Sequence, residues 1–117
     1  MSFRFEGLDI WQVAKGYATR VYAVTAKFPR HEDHGLRSQM NRAVNSICLN
    51  IAEGSAKSSN KAFDYHLEIA VGSNFEVVAA SFLAEERGYI SKQEREGLYE
   101  SGHGLAKSIN SFRKTLH

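Results

Sequence analysis

Four successive stretches of this chain repeat apolar residues at the three-to-four-residue spacing of an α-helix, and this periodicity limits the fold more than any other feature. No stretch shows the bounded alternation of apolar and polar residues that a β-strand requires. With only 117 residues, the chain is expected to form one domain. The pattern predicts an all-α domain over residues 1–117, an up-down-up-down antiparallel four-helix bundle. The predicted helices span residues of about 8–28, 36–53, 59–87 and 91–116.

Residues with strong preferences at helix ends mark most of these boundaries. Pro29 disfavours helical backbone at the residue before it, so the first helix must stop there. Gly54 suits the left-handed position just past the second helix, and Gly88 ends the third. Ser91 and Glu94 have the spacing of a capping box, which predicts the start of the fourth helix.

The third predicted helix is apolar around most of its circumference. One stripe of apolar residues is enough to face the core, yet further apolar residues lie on both flanks of that stripe. These flanking residues are Ala62, Ile69, Ala80 and Leu83 on one side and Phe75 and Phe82 on the other. A helix of this kind is buried on more than one side. Because three neighbouring helices cannot cover it completely, the sequence predicts a homo-oligomer.

The second predicted helix carries a line of polar residues beside its apolar stripe. We call this line the polar seam, together with a glutamate expected to face it from the third helix. Its members are Gln39, Arg42, Ser46, Asn50, Glu53 and Glu76. Ser73, Asn74 and Glu76 are the expected partners, and an Arg42–Glu76 ion pair is plausible.

Two interpretations of the polar seam are open. One is an internal hydrogen-bond network that fixes the register of the helices, since half-buried polar groups need partners. The other is a ligand site or active site, which requires Arg42, Asn50, Glu53 and Glu76 to face a solvent-filled cavity. The first is the expectation, so the protein is predicted not to be an enzyme and to have no catalytic residue and no cofactor.

Other candidates for chemistry are weak. A single cysteine, Cys48, excludes disulfides within the chain and every zinc pattern with two thiolates. Cys48 with His66 could form a thiolate–imidazole pair, but a buried inert thiol is the expectation. The stretch from His31 to His34 holds two imidazoles and two carboxylates in a loop, where ligands rarely converge, so no metal site is predicted. Lys57 and Lys61 near a helix start could hold a phosphate.

The net charge of +2 is too small to indicate a partner by itself. The charges are nevertheless sorted by helix, with the first and last helices basic and the third acidic. Such separation can steer an anionic partner or favour contact with a second copy. The candidate phosphate-contacting residues are Lys15, Arg20, Lys27, Lys107, Arg113 and Lys114.

The first residues have no apolar segment of the kind found in signal peptides. No window is free of charge over the length needed to span a membrane. The chain is therefore expected to act in the cytoplasm without a membrane partner.

Several segments together resemble a known family. They are 7–14, 28–29, Glu32, 35–36, Gln39, 42–47, 50–54, Phe63, 69–70, 72–73, Glu76 and 88–90, and the parts within 50–54 and 72–76 are the most specific. These segments are similar to the small helical proteins encoded by intervening sequences inside bacterial 23S ribosomal RNA genes. That family in turn resembles the accessory variability determinant proteins of diversity-generating retroelements.

The resemblance implies a non-enzymatic helical bundle that assembles as a homopentamer with a central channel. It also implies association with RNA or DNA. The leading hypothesis is therefore an oligomeric binding or scaffold protein that contacts nucleic acid through its basic residues. The alternative is a protein-interaction adaptor that does not bind nucleic acid, and a hydrolase or ligand-binding enzyme built on the polar seam is the third.

Overall fold

The computed structural model of the protein describes residues 2–117, and within them the chain is entirely helical, with no strand. Four long helices pack together, as the sequence predicted. They are α1 (Asp9–Thr25), α2 (Leu36–Ser55), α3 (Asn60–Glu86) and α4 (Lys92–Lys114). Two short 3-10 helices, Arg4–Gly7 and Arg30–Glu32, precede α1 and α2.

Each long helix packs against two others. Consecutive helices are in contact, and α4 returns to contact α1. The molecule measures 44 × 23 × 21 Å, so its long axis follows the helices. The largest fully buried side chains come from all four helices and include Phe63, Met40, Ile47, Ile51, Leu67, Leu98, Leu105, Ile109 and Val21. Burial of this apolar surface is the main force that holds the helices together.

Helix α1 ends at Thr25, three residues before the predicted boundary. Its last carbonyl groups are bonded from α2, because the Arg37 guanidinium donates to the backbone oxygens of Thr25 and Phe28. The Thr25 hydroxyl donates to Asn41 Oδ1 at 2.8 Å. The Thr25 carbonyl also accepts from the Phe28 backbone N–H at 3.0 Å. Arg37 reinforces this bond and supplies a donor for the Phe28 carbonyl outside the helix, so α1 can stop well before Pro29.

The prediction that Gly54 occupies a left-handed position after α2 is wrong. Gly54 lies inside α2, and among the described residues only Gly88 has a positive φ, of 79°. A Cβ on Gly54 would lie 2.8 Å from His66 Cβ and 2.9 Å from Phe63 Cδ1. Gly54 is therefore required for the close approach of α2 to α3, whereas Gly88 does terminate α3.

The predicted capping box of α4 is confirmed. Ser91 Oγ accepts from the Glu94 backbone N–H at 3.0 Å, and Glu94 Oε1 accepts from the Ser91 backbone N–H at 2.9 Å. At the start of α3, Ser59 Oγ accepts from the Ala62 N–H at 3.1 Å. Both caps satisfy backbone donors that a helix start leaves free.

The outer side of α3 is left uncovered by the chain. Phe75 is 69% exposed, Leu83 48% and Phe82 45%, although the same helix buries its other side in the core. By length and composition α3 is apolar enough to cross a membrane, which the sequence analysis did not anticipate. The core helix of a globular protein can meet the same criterion, so the expectation of no membrane partner stays a prediction.

Candidate functional site

The part of the polar seam from Ser46 onwards, which we call its lower half, forms a hydrogen-bond network between α2 and α3. The Ser73 hydroxyl donates to Ser46 Oγ at 2.9 Å. Asn50 Nδ2 donates to the Ser46 carbonyl at 2.9 Å and to Ser46 Oγ at 3.1 Å. These half-buried groups satisfy one another. Ser73 was correctly predicted as a partner, whereas Asn74 points toward α4 and donates to the Gly102 carbonyl at 2.7 Å.

His66 extends this network to the end of α2. Asn50 donates through its amide nitrogen, so its Oδ1 must be the atom 3.0 Å from His66 Nδ1. His66 Nδ1 therefore carries a hydrogen, and Nε2 faces Glu53 Oε2 at 3.7 Å. Glu53 is also 3.9 Å from Lys57 Nζ. A phosphate bound at Lys57 would therefore compete with the Glu53 carboxylate for the lysine ammonium group.

The upper half of the seam is different, because it opens into a cavity. The cavity has a volume of about 380 Å³ and lies between α2 and α3. Its lining residues are Gln39, Arg42, Ala43, Ser46, Ser73 and Glu76. We call it the polar groove. Among residues 2–117, neither Arg42 nor Glu76 has a side-chain hydrogen bond or an ion pair, so the plausible Arg42–Glu76 pair is not formed.

Cys48 and His66 do not form a nucleophilic pair. The His66 ring bonds to Asn50 instead, and Cys48 is half-buried. Burial raises the pKa of the Cys48 thiol. The thiol is therefore protonated at neutral pH and a poor nucleophile.

The side chains of the cluster from His31 to His34 bind different partners instead of converging on one point. Glu32 turns inward, where its Oε1 accepts from the Leu36 backbone N–H at 2.8 Å and its Oε2 accepts from the Tyr89 hydroxyl at 2.7 Å. Asp33 forms an ion pair with Arg37 at 3.1 Å. In the part of the chain that the structure describes, no three His, Cys, Asp or Glu residues converge as metal ligands.

Two of the six basic candidates are neutralised inside the protein. Arg113 binds both carboxylate oxygens of Asp64, with Nε–Oδ1 at 2.7 Å and Nη2–Oδ2 at 3.3 Å. Lys27 forms an ion pair with Glu94. Arg113 thereby joins α4 to α3, and Lys27 joins the α1–α2 connection to the start of α4.

The other four basic candidates have no acidic partner among the described residues. Arg20 Nη1 donates to Ser101 Oγ at 2.7 Å, and Lys15 Nζ lies 5.2 Å from the centre of the Trp11 ring. Lys107 and Lys114 are exposed on α4. The structure thus distributes these cations over α1 and α4, and Trp11 contacts one of them within the chain.

A second cavity, of about the same size, lies between α3 and α4 and is lined almost entirely by apolar groups. Its volume is 340 Å³, and we call it the apolar groove. Its lining residues are Asn74, Phe75, Val78, Ala79, Phe82, Tyr99, Gly102, His103 and Ala106. The Phe82 and Tyr99 rings meet edge to face at 6.2 Å, and the His103 ring stacks parallel to Tyr99 at 6.3 Å.

Two buried polar atoms lie behind the apolar groove without a hydrogen-bond partner among residues 2–117. They are the Tyr17 hydroxyl and Asn74 Oδ1, both beside Gly102. Burial raises the pKa of Tyr17 far above its usual value, so its hydroxyl stays neutral. The sequence analysis identified Phe75 and Phe82 but missed Tyr99 and His103, their neighbours on α4, because the contact between the two helices depends on how they pack.

The structure defines a small all-helical protein, in which four packed helices leave an apolar groove and a polar groove open at the surface. The chain belongs to the 23S rRNA-intervening sequence protein family, whose model matches residues 6–111. The family resemblance in the sequence is thereby confirmed. The further relation to accessory variability determinant proteins stays a prediction.

A solved structure supports the same fold. The chain is similar to a protein with unknown function from the S23 ribosomal protein family, from Bacteroides thetaiotaomicron VPI-5482, whose crystal structure was determined at 1.70 Å resolution. The TM-score is 0.79 at 21% sequence identity, over 90% of this chain and 98% of that chain. At this identity the likeness shows the fold alone. A comparison with curated proteins gives no match.

Proposed function

We propose that the protein is a non-enzymatic, homo-oligomeric scaffold that acts in the cytoplasm and contacts nucleic acid. The observation that carries the proposal is the uncovered apolar surface of α3. Apolar residues of one patch, Phe75, Phe82 and Tyr99, are 69%, 45% and 45% exposed and border one continuous groove. Contiguous apolar surface of this kind is typical of a protein interface.

The proposal includes the up-down-up-down order of the helices. The contacts between Thr25 and Asn41, between Ser46 and Ser73, and between Asp64 and Arg113 each join residues that an antiparallel arrangement brings to the same level. The connections between the helices are short, as this arrangement requires. With this order, the apolar groove runs along the outside of the α3–α4 pair.

A second copy of the chain is the proposed cover for the apolar groove. The groove is lined by rings and small aliphatic groups, and no Lys, Arg, Asp or Glu is among its lining residues. A copy that packs there would remove these rings from water. The family resemblance implies a ring of five copies, and a ring requires each copy to offer two different surfaces.

Sedimentation velocity at micromolar concentration tests the assembly. The wild-type protein is expected to sediment as an oligomer, and Phe75→Glu is expected to shift it to the monomer with unchanged helical circular dichroism. Val13→Glu is the matched control, because Val13 is 49% exposed on α1 and lies outside both grooves. A wild-type monomer, or flotation of the wild type with lipid vesicles instead of self-association, would contradict the proposal.

Nucleic-acid contact is the second part of the proposal. Lys15, Lys107 and Lys114 are exposed and have no acidic partner among the described residues, so they remain available for phosphate oxygens. Oligomerisation would repeat these cations around one assembly and increase avidity. A gel shift with a structured RNA at about 50 mM salt tests this contact, since phosphate binding weakens steeply with salt. No retention at that salt would contradict it.

A protein-interaction adaptor is the alternative, and the same apolar groove favours it. The two functions differ in what the purified oligomer carries. A nucleic-acid scaffold loses its co-purifying material on nuclease treatment, whereas an adaptor keeps a protein partner.

A further inference from the structure

The polar groove contains a cation and an anion that do not pair with each other. Arg42 on α2 and Glu76 on α3 both line its 380 Å³, and among residues 2–117 neither side chain has a hydrogen bond or an ion pair. Elsewhere, oppositely charged side chains form ion pairs between α3 and α4: Arg113 pairs with Asp64, and Arg95 pairs with Glu85. Both side chains are exposed, so this groove presents two solvated charges of opposite sign that are not paired with each other.

The floor of the groove is held rigid by the seam network. Ser46 Oγ accepts from both the Ser73 hydroxyl and Asn50 Nδ2, which occupies its two lone pairs. Its own hydroxyl hydrogen is left to donate. Because Asn50 is itself fixed by His66, the floor needs no rearrangement when a ligand binds. Preorganisation of this kind reduces the entropic cost of binding.

We propose that the polar groove binds a small zwitterion, with a carboxylate at Arg42 and an ammonium group at Glu76. The guanidinium can bind a carboxylate with two parallel hydrogen bonds. The Glu76 carboxylate accepts from the ammonium group, and the hydroxyls of Ser46 and Ser73 and the Gln39 amide meet polar groups between the two charges. The volume lies at the lower end of small-molecule sites and suits a molecule of about dipeptide size.

This site is independent of the proposed assembly. The polar groove lies between α2 and α3, and the apolar groove lies between α3 and α4. A ligand in the first leaves Phe75, Phe82 and Tyr99 free to contact a second copy.

Titration with glycylglycine, followed by the backbone amide signals of Ser46 and Ser73 in the intact protein, tests the inference. Saturable shifts are expected with a dissociation constant in the range of about 1 mM. N-acetylglycylglycine lacks the ammonium group and glycylglycinamide lacks the carboxylate. Each is expected to bind up to about fivefold more weakly, because each can form only one of the two ion pairs with these exposed side chains.

Matched variants locate the site. Arg42→Gln and Glu76→Gln are each expected to weaken glycylglycine binding to the same extent as capping the matching end of the peptide, whereas Arg30→Gln and Glu86→Gln, exposed changes of the same charge outside the groove, are expected to keep the wild-type affinity. Equal binding of the capped peptides, or no shift with glycylglycine, would overturn the inference. It would also be overturned if Arg42→Gln dissociated the oligomer, because the groove would then be covered by a second copy.

Discussion

The Tyr89 hydroxyl donates a 2.7 Å hydrogen bond to Glu32 Oε2 across 57 positions of sequence. The same carboxylate accepts from the Leu36 backbone N–H at 2.8 Å and from Arg87 Nη1 at 3.2 Å. His31 Nε2 lies 3.0 Å from the Tyr89 oxygen. One carboxylate thus fastens the α1–α2 connection to the α3–α4 connection at one end of the molecule.

Glu32→Gln is expected to lower the melting temperature at pH 7 and to flatten its dependence on acidic pH. The Leu36 backbone N–H, and after it the Tyr89 hydroxyl, hold the pKa of Glu32 below its usual value. The charged form therefore stabilises the folded state above the ordinary glutamate pKa, and this stability is lost as the pH falls through the lowered pKa. Thermal unfolding between neutral and acidic pH measures both effects.

Glu86→Gln is the control for this experiment, because Glu86 is exposed and has no side-chain partner among the described residues. It should melt like the wild type at neutral pH. Identical pH profiles for Glu32→Gln and the wild type would show that the contact with Tyr89 contributes nothing.

Arg113→Gln is expected to lower the free energy of unfolding by about 1.5–3 kcal/mol, the range for hydrogen bonds to charged groups. The Arg113 guanidinium holds the pKa of the Asp64 carboxyl below its usual value, and both side chains are mostly covered. Urea denaturation measures the loss. Arg113→Lys should recover only part of it, because an ammonium group cannot bind both oxygens in parallel.

Lys114→Gln changes the neighbouring charge without removing this contact. Its expected effect is within about 0.5 kcal/mol, as for other exposed substitutions. Equal losses for the two glutamine variants would indicate a general charge effect, not a specific pair.

Gly102→Ala is expected to destabilise the protein by about 1–3 kcal/mol, the usual range for overpacking. The new Cβ would lie 2.8 Å from the Tyr17 hydroxyl oxygen, 2.8 Å from Val78 Cγ2 and 3.0 Å from Asn74 Oδ1. Gly104→Ala, two residues on in the same helix, meets nothing within 4 Å. There the better helix propensity of alanine should stabilise by about 0.5–1 kcal/mol. Chemical denaturation of the Gly102→Ala and Gly104→Ala variants measures both free energies of unfolding. A loss at Gly102 with a gain at Gly104 shows that packing, not helix propensity, requires glycine at position 102.

Helical periodicity was sufficient to predict the four helices, and capping chemistry was sufficient to predict the start of α4. Both signals are local, since they depend on residues within one or two turns. The end of α1 and the role of Gly54 were not predictable in this way. The first depends on Arg37 from α2, and the second depends on how closely Phe63 and His66 approach from α3.

The same distinction separates the predicted and the missed parts of the candidate sites. The polar seam of α2 could be predicted because Arg42, Ser46 and Asn50 share one strip of a single helix. Its contact with His66, and the failure of Arg42 to meet Glu76, depend on the rotation of α3 about its own axis. Because α3 is apolar around most of its circumference, the sequence does not indicate which side of α3 faces α2.

If the proposed nucleic-acid contact is correct, replacing lysines without an acidic partner should change the salt dependence of RNA binding, and replacing a lysine in an ion pair should not. Lys107 and Lys114 are seven residues apart on α4, which places them on the same face two turns apart. If each meets one phosphate of single-stranded RNA, the double glutamine variant should reduce the slope of log affinity against log salt by about 1.4, or 0.7 for each lost contact. Filter binding at several salt concentrations measures the slope.

Lys27→Gln provides the matched control, because Lys27 is already paired with Glu94. Breaking that pair frees a carboxylate at the start of α4, far from Lys107 and Lys114, and adds negative charge to the protein, but it removes no counterion-releasing contact. The affinity can fall while the slope stays close to that of the wild type. A slope reduced as much by Lys27→Gln as by loss of Lys107 and Lys114 would contradict the assignment, because the paired and the free cations would then serve the RNA equally.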